Sequence, residues 1–339
     1  MEYTRLGRTG LSVSRTSFGV LPIQRVDFDT ARLILRSAHE AGITFFDTAS
    51  GYSDSEEKIG YSLADVRDEI LIATKCSGAK SRQEVLEKVE QSLERMRTDH
   101  VDLLQLHNPK VLPDPDDTES TYAGLVEAKR RGMTRFIGIT NHSRQTALEA
   151  VESGLYDTLQ FPLSAISDSE DFALAERCRE LDVGFIAMKA LCGGLLTNAR
   201  LAFAALRRYE HVVPIWGIQR LTELEELVAL EREPPVLTSE LEREVESERA
   251  ALAGDFCRAC GYCLPCPVDI PIPMAARMGL LIERMPSEQF RSADWQERMA
   301  RIEDCTECRA CASRCPYGLD TPELLRKNLA IYRRWLNAA

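Results

Sequence analysis

The sequence predicts an α/β chain in which a closed (β/α)8 barrel is followed by a smaller, mostly helical domain. Three observations carry that prediction. Short apolar, β-branched runs alternate with amphipathic segments from residue 16 to about 230, the pattern of a parallel sheet with helices outside it. The stretch Glu231-Arg232-Glu233-Pro234-Pro235, which cannot continue a helix, then ends the alternation. Beyond it lie eight of the 11 cysteines, all between Cys257 and Cys315. A chain of 339 residues, 44% of them hydrophobic, can bury two cores, and the expected domains are 1–236 and 237–339.

Taken in order, residues 3–15 set Gly7 and Gly10 between apolar residues and read as a hairpin that closes the bottom of the barrel. Strands are expected at 16–20, 44–46, 70–74, 101–106, 135–139, 158–161, 184–187 and 212–216. Between them, Ser53 with Glu56 and Ser81 with Glu84 have capping-box spacing before apolar periodicity. Eight strands in this length favour a closed barrel over a doubly wound open sheet, whose Gly-x-Gly-x-x-Gly turn is missing after the first strand. Past the break, Ser239 and Glu242 repeat the capping spacing and start a charged helix, and residues 274–285 and 288–302 read as helical.

With 42 Lys and Arg against 53 Asp and Glu, the net charge is -11, and no basic surface points to nucleic acid or an anionic membrane. No charged-then-apolar leader opens the chain and no apolar run is long enough to span a bilayer, so a cytoplasmic protein is expected.

In a barrel of this kind, chemistry gathers at the carboxyl ends of the strands. The second strand ends in Phe46-Asp47-Thr48-Ala49-Ser50-Gly51-Tyr52, the third in Ala73-Thr74-Lys75, and the fourth in Leu104-Gln105-Leu106-His107-Asn108. A carbonyl that accepts hydride develops negative charge on oxygen, which calls for a proton donor and hydrogen-bond donors there. Tyr52 suits the proton donor. A free phenol titrates near ~10, and an adjacent ammonium favours the phenolate, so Lys75 is expected to lower it, with Asp47 holding the lysine. His107 would orient the carbonyl or donate to its oxygen.

These residues also carry a resemblance. Tyr3-Thr4-Arg5-Leu6-Gly7-Arg8-Thr9-Gly10-Leu11, Phe45-Phe46-Asp47-Thr48-Ala49 with Tyr52, Ala73-Thr74-Lys75 and Leu104-Gln105-Leu106-His107 resemble the aldo-keto reductase family from Tyr3 to about Leu230. The resemblance implies a TIM barrel that uses NADP or NAD, with Asp47, Tyr52, Lys75 and His107 as the catalytic tetrad. It also implies that Asn141 and Gln160 hold the nicotinamide carboxamide, as an amide pair suits a group with both donor and acceptor, and that Gly19 and Val20 lie beside the cofactor. Two departures stand out. Met188 or Lys189 occupies the place where many members stack an aromatic ring. After the eighth strand, in the run from Gly217 through Gln219, most of the basic residues expected for a 2'-phosphate are missing, and Arg220 is the candidate that remains.

The cysteines read Cys257-x-x-Cys260-x-x-Cys263-x-x-Cys266-Pro267 and Cys305-x-x-Cys308-x-x-Cys311-x-x-x-Cys315-Pro316. Without a secretion signal, such a cluster reads as metal ligation rather than disulfides. Zinc would need only two Cys-x-x-Cys pairs; the third cysteine of each run and the Cys-Pro endings favour two [4Fe-4S] clusters. In two-cluster ferredoxins the cysteine before proline ligates the other cluster. That assigns Cys257, Cys260, Cys263 and Cys315 to one cluster and Cys305, Cys308, Cys311 and Cys266 to the second. The tail resembles helical two-cluster ferredoxins, found on a subset of bacterial and archaeal aldo-keto reductases. Cys76 and Cys178 read as packing residues, and Cys192 as a loop residue near the site mouth.

The functional expectation is an NAD(P)H-dependent reductase of a small aldehyde, ketone or sugar carbonyl, or the reverse alcohol oxidation, whose clusters transfer electrons to or dock a redox partner such as a ferredoxin. The alternative is an electron-transfer or redox-sensing protein whose barrel binds nicotinamide without reducing a carbonyl.

Overall fold

Every predicted strand forms within two residues of its expected bounds. The hairpin pairs β1 (Tyr3–Arg5) antiparallel with β2 (Ser12–Ser14). The remaining strands are β3 (Ser17–Gly19), β4 (Phe45–Asp47), β5 (Leu71–Cys76), β6 (Val101–His107), β7 (Thr134–Thr140), β8 (Thr158–Pro162), β9 (Gly184–Met188) and β10 (Val212–Gly217). Each pairs in parallel with the next, and β10 pairs back onto β3, so the sheet closes as an eight-stranded barrel. Helices α1 (Phe28–Glu40), α2 (Ser55–Leu63), α3 (Arg82–Met96), α4 (Thr121–Arg130), α5 (Arg144–Glu152), α6 (Ser169–Glu180), α7 (Ala199–Arg207) and α8 (Leu221–Arg232) follow β3 to β10 in turn. This computed structural model describes residues 1–252, 256–284 and 287–338.

Local chemistry explains most helix starts. Asp27 accepts the Thr30 N–H at 2.7 Å, and Ala31, Ile34, Leu35 and Ala38 then bury one face of α1. Ser81 accepts the Glu84 N–H at 3.2 Å, while the Glu84 carboxylate takes the Lys80 N–H at 2.9 Å. The expected capping box of Ser53 and Glu56 does not form. Ser53 sits at φ 39°, α2 begins at Ser55, and Glu56 is buried, accepting from the Thr74 hydroxyl at 2.6 Å and from Arg95 at 3.2 Å. A tertiary partner has taken the carboxylate from its local one.

The hairpin packs as expected. Leu6, Leu11 and Val13 join Phe45, Ala73, Leu103, Ile186, Val213 and Ile215 in one buried cluster. Gly7 makes that approach possible: its φ is +50° and a Cβ there would lie 2.2 Å from the Gly184 nitrogen.

The chain divides into two units, the first of Met1–Ala190 with Asn198–Arg243, the second of Leu191–Thr197 with the chain from Glu244 onward. The division falls inside α9 (Ser239–Ala251). Thr238, not Ser239, caps this helix, its hydroxyl accepting the Leu241 N–H at 3.3 Å. The helix expected over 274–285 is two, α10 (Ile272–Ala275) and α11 (Met278–Arg284), and Met285 lies outside the described residues. The one expected over 288–302 is broken into α12 (Ala293–Ala300) between two 3-10 turns, because Ser292 starts α12 afresh by accepting the Trp295 N–H at 3.4 Å. After α13 (Ala310–Ser313), the long α14 (Thr321–Asn337) buries Leu325, Leu329 and Tyr332. Its Asn328 accepts the Gly279 N–H at 2.8 Å and donates to the Ala276 carbonyl at 3.0 Å, pinning α14 to α11 and its approach. Among the described residues no helix is long and apolar enough to cross a membrane.

Candidate active site

Strand register builds the polar centre. Lys75 on β5 lies opposite Gln105 on β6, and Asp47 at the end of β4 lies opposite Ala73, two residues before Lys75. Side chains two apart on a strand share a face, so Asp47, Lys75 and Gln105 all point into the barrel. Lys75 Nζ donates to Asp47 Oδ1 at 2.5 Å and to the Thr48 carbonyl at 2.6 Å. Asp47 also accepts from Gln105 Nε2 at 3.2 Å and from Gln160 Nε2 at 3.1 Å. The carboxylate thus has three donors, which is how a buried charge is tolerated. Above it, Lys75 Nζ lies 5.2 Å from the centre of the Tyr52 ring, and the Tyr52 and His107 rings meet edge to face with centroids 5.8 Å apart. The four side chains expected from the sequence therefore do come together.

The electrostatics differ from expectation at one of them. The Tyr52 phenol is pushed above its ordinary range, first by its dense surroundings and then by the Asp47 carboxylate, although part of the residue stays open to solvent. The lowering expected from Lys75 is outweighed by these two effects, and Asp47 also pairs the ammonium. Burial in turn lowers Lys75, with Asp47 opposing. His107 is held down at about 3 by burial, then by the Lys75 charge and His142. His142 is likewise held at about 3, by burial and by Lys189.

The expected cofactor contacts divide. Gly19 pairs with Asp47 across the sheet, and the Val20 N–H donates to the Asp47 carbonyl at 2.8 Å; both residues are buried. Asn141 is engaged with backbone, donating to the Pro109 carbonyl at 2.9 Å and accepting the Ser143 N–H at 2.7 Å. Gln160 turns its amide nitrogen to Asp47, while its buried Oε1 has no partner among the described residues. Met188 packs on the barrel core, and Lys189 follows it at φ 63°. Gly217 is exposed, and Gln219 accepts from Arg25 at 3.2 Å. Arg220 is not an uncommitted cation: it is paired with Glu223 at 2.6 Å, and the same carboxylate accepts the N–H groups of Gln219 at 2.9 Å and Arg220 at 3.1 Å.

In the second unit, Cys257, Cys260, Cys263 and Cys315 line one small cavity. Cys266, Cys305, Cys308 and Cys311 line another, and Cys263 borders both. Among the described residues no three His, Cys, Asp or Glu side chains gather closely enough to hold a single metal ion. Cys308 is the most exposed of the eight, while Cys76 and Cys178 are buried. Cys192, expected near the site mouth, is also buried and belongs to the second unit.

The family model described as "Aldo/keto reductase family" matches residues 16–236. The chain belongs to that family. A second model, "4Fe-4S dicluster domain", matches residues 256–320 of this aldo/keto reductase. L-galactose dehydrogenase of Arabidopsis thaliana is 33% identical over 216 residues, 58% of this chain and 68% of that protein. L-glyceraldehyde 3-phosphate reductase of Escherichia coli K12 is 29% identical over 228 residues, 59% of this chain and 64% of that protein, so the match leaves about a third of each relative unspanned. The solved aldo-keto reductase of Bacillus halodurans in its holo form superposes with a TM-score of 0.64 over 73% of this chain and 96% of its own, at 22% identity, a likeness of fold. The protein is an oxidoreductase.

Three residues of the reductase's site went unread in the sequence: Gln105, Ser77 and His142. Gln105 precedes His107 by two on one strand and Ser77 follows Lys75 by two, so strand periodicity alone held that signal. His142 had no comparable cue, because it reaches the site from the loop after β7.

Proposed function

We propose that this oxidoreductase moves hydride between NADP(H) or NAD(H) and the carbonyl carbon of a small aldehyde, ketone or sugar, with Tyr52 as the proton donor and the alcohol oxidation as its reverse. The meeting of Tyr52, Lys75, Asp47 and His107 carries this reading. The nicotinamide, when bound, supplies or accepts the hydride. Tyr52 keeps its proton through neutral pH, since its phenol is raised, and gives it up to an oxygen that becomes an alkoxide, a stronger base than a phenolate. Lys75, fixed by Asp47, faces the ring and stabilises the phenolate left behind. His107 donates to the same oxygen.

The buried Oε1 of Gln160, without a partner among the described residues, is an acceptor that a nicotinamide carboxamide would satisfy. Gly19, Val20, Met188, Lys189, Gly217 and Gln219 are the other contacts of this reading, and Asn141 would have to exchange its backbone partners for the cofactor. A 2'-phosphate beside Arg220 would compete with the Glu223 carboxylate already there. The two relatives act, by name, on a sugar and a sugar phosphate, which favours a polyhydroxylated carbonyl compound.

We assign domains 1–236 and 237–339. Cys257, Cys260, Cys263 and Cys315 would hold one [4Fe-4S] cluster and Cys305, Cys308, Cys311 and Cys266 the other; each set of four thiols lines one cavity, which supports this reading. Such clusters pass single electrons while hydride carries two, and the sequence shows no flavin motif to convert between them. Their role in this reading is exchange with, or docking of, a redox partner such as a ferredoxin.

The deciding experiment is Tyr52→Phe, followed by NAD(P)H oxidation against a panel of aldehydes, ketones and sugars. Turnover should fall by about 10^2 to 10^4 with nucleotide binding retained. Reduction at the full rate would reject Tyr52 as the acid and return the barrel to a nicotinamide-binding sensor.

A further inference from the structure

We propose that Ser77 sets the tautomer of His107, placing the ring proton on Nε2 so that the imidazole is a hydrogen-bond donor to the reacting carbonyl oxygen. The proposal rests on the carbonyl-reductase reading for its consequence but not for its geometry. Ser77 Oγ lies 2.6 Å from His107 Nδ1. The same oxygen accepts the Gly51 N–H at 3.2 Å. A serine hydroxyl has one proton to give, and among the described residues Nδ1 is the acceptor that Ser77 Oγ has within reach. An imidazole that accepts at Nδ1 and is neutral must carry its proton on Nε2. The ring is neutral at working pH, being held at about 3 by burial and then by Lys75 and His142.

The surrounding loop is built to hold that hydroxyl in place. The Ser77 N–H donates to Ser50 Oγ at 3.0 Å, and the Ser50 hydroxyl donates to the Lys75 carbonyl at 3.0 Å. A Cβ at Gly51 would lie 2.8 Å from Ser77 Oγ, so glycine at that position leaves room for the contact. Gly51 immediately precedes Tyr52, and Lys75 lies two residues before Ser77. One hydroxyl therefore ties the segment that carries the phenol to the ring that faces it. In this arrangement a bound carbonyl oxygen meets two donors, the Tyr52 hydroxyl and His107 Nε2–H. With the proton on Nδ1, His107 would offer that oxygen a lone pair instead and repel the developing charge. Ser77 is thus a positioning residue, acting through His107.

Ring-nitrogen NMR on the full chain, which has only five histidines, reads the tautomer directly without turnover. Wild-type protein should show His107 bare at Nδ1 and protonated at Nε2. Ser77→Ala should show loss of that bias, and Ser77→Thr, which keeps the hydroxyl, should preserve it. In steady state Ser77→Ala should lower kcat about tenfold with KM little changed, the factor expected for one lost net hydrogen bond, and Ser77→Thr should restore it. A wild-type ring protonated on Nδ1, or a tautomer that Ser77→Ala leaves unmoved, overturns the proposal. If the tautomer responds as stated but Tyr52→Phe leaves carbonyl reduction untouched, the Ser77 assignment stands and the proposed reaction is what fails.

Discussion

Burial does more than charge pairing to set the chemistry of single residues in this site. His107 and His142 both titrate near 3 in the folded protein, against an ordinary value of 6.5. Folding therefore excludes protons that the unfolded chain takes up below 6.5. The sign follows directly: their contribution to stability is whole above about 6.5 and is lost as the pH falls through the window from 6.5 toward 3. Urea midpoints should drop steadily between pH 7 and pH 4, and His142→Gln, which cannot titrate, should make that drop shallower; equal slopes in the two proteins would contradict the assignment. The same physics keeps Tyr52 protonated, so an alkaline limb in activity should not come from its phenol near its usual range. Identity and order of Asp47, Tyr52, Lys75 and His107 were legible in the sequence. The direction of the Tyr52 shift was not, because it depends on how much protein crowds the ring and on Lys75 being neutralised by Asp47 at 2.5 Å.

Among the elements, the barrel strands were read nearly to the residue, since alternation of apolar runs is dictated by burial on both faces of a parallel sheet. Helix starts were read less well. Ser81 caps as its spacing implied, whereas Ser53 and Ser239 do not, because Glu56 is drawn to Thr74 and Arg95 and because Thr238 stands one residue ahead. A capping pattern is local, and a stronger tertiary partner overrides it. One close approach makes α2 a sensitive element. A Cβ on Gly60 would fall 2.4 Å from the Arg95 carbonyl and 2.8 Å from the Met96 carbonyl carbon, at the end of α3. Gly60→Ala should therefore destabilise the protein by about 1–3 kcal/mol despite the better helix propensity of alanine. Urea denaturation measures this, and a neutral or stabilising substitution would show that α2 and α3 move apart freely.

At the scale of the whole molecule, the two units have different sources of stability. The barrel closes an apolar core inside β3 to β10, while the second unit lines its two cysteine-bearing cavities with loops, short helices and the start of α14. A small helical unit of this kind would gain folding energy from the clusters proposed for its thiolates. Iron removal by a chelator under anaerobic conditions should therefore raise hydrogen exchange across the segments that carry the cysteines. Exchange in β3 to β10 and NAD(P)H-dependent turnover should change little; parallel loss in both units would show that the barrel depends on the clusters. By itself the sequence determined the barrel, the cysteine-bearing tail and the four residues Asp47, Tyr52, Lys75 and His107, because periodicity, breaks and spacing are properties of the chain taken in order. Only the tertiary structure decided that Asn141 holds the Pro109 carbonyl, that Gln160 turns its amide to Asp47 and that Ser77 faces His107. Those outcomes depend on distances between groups far apart along the chain, which burial and competing hydrogen bonds fix only once the fold has closed.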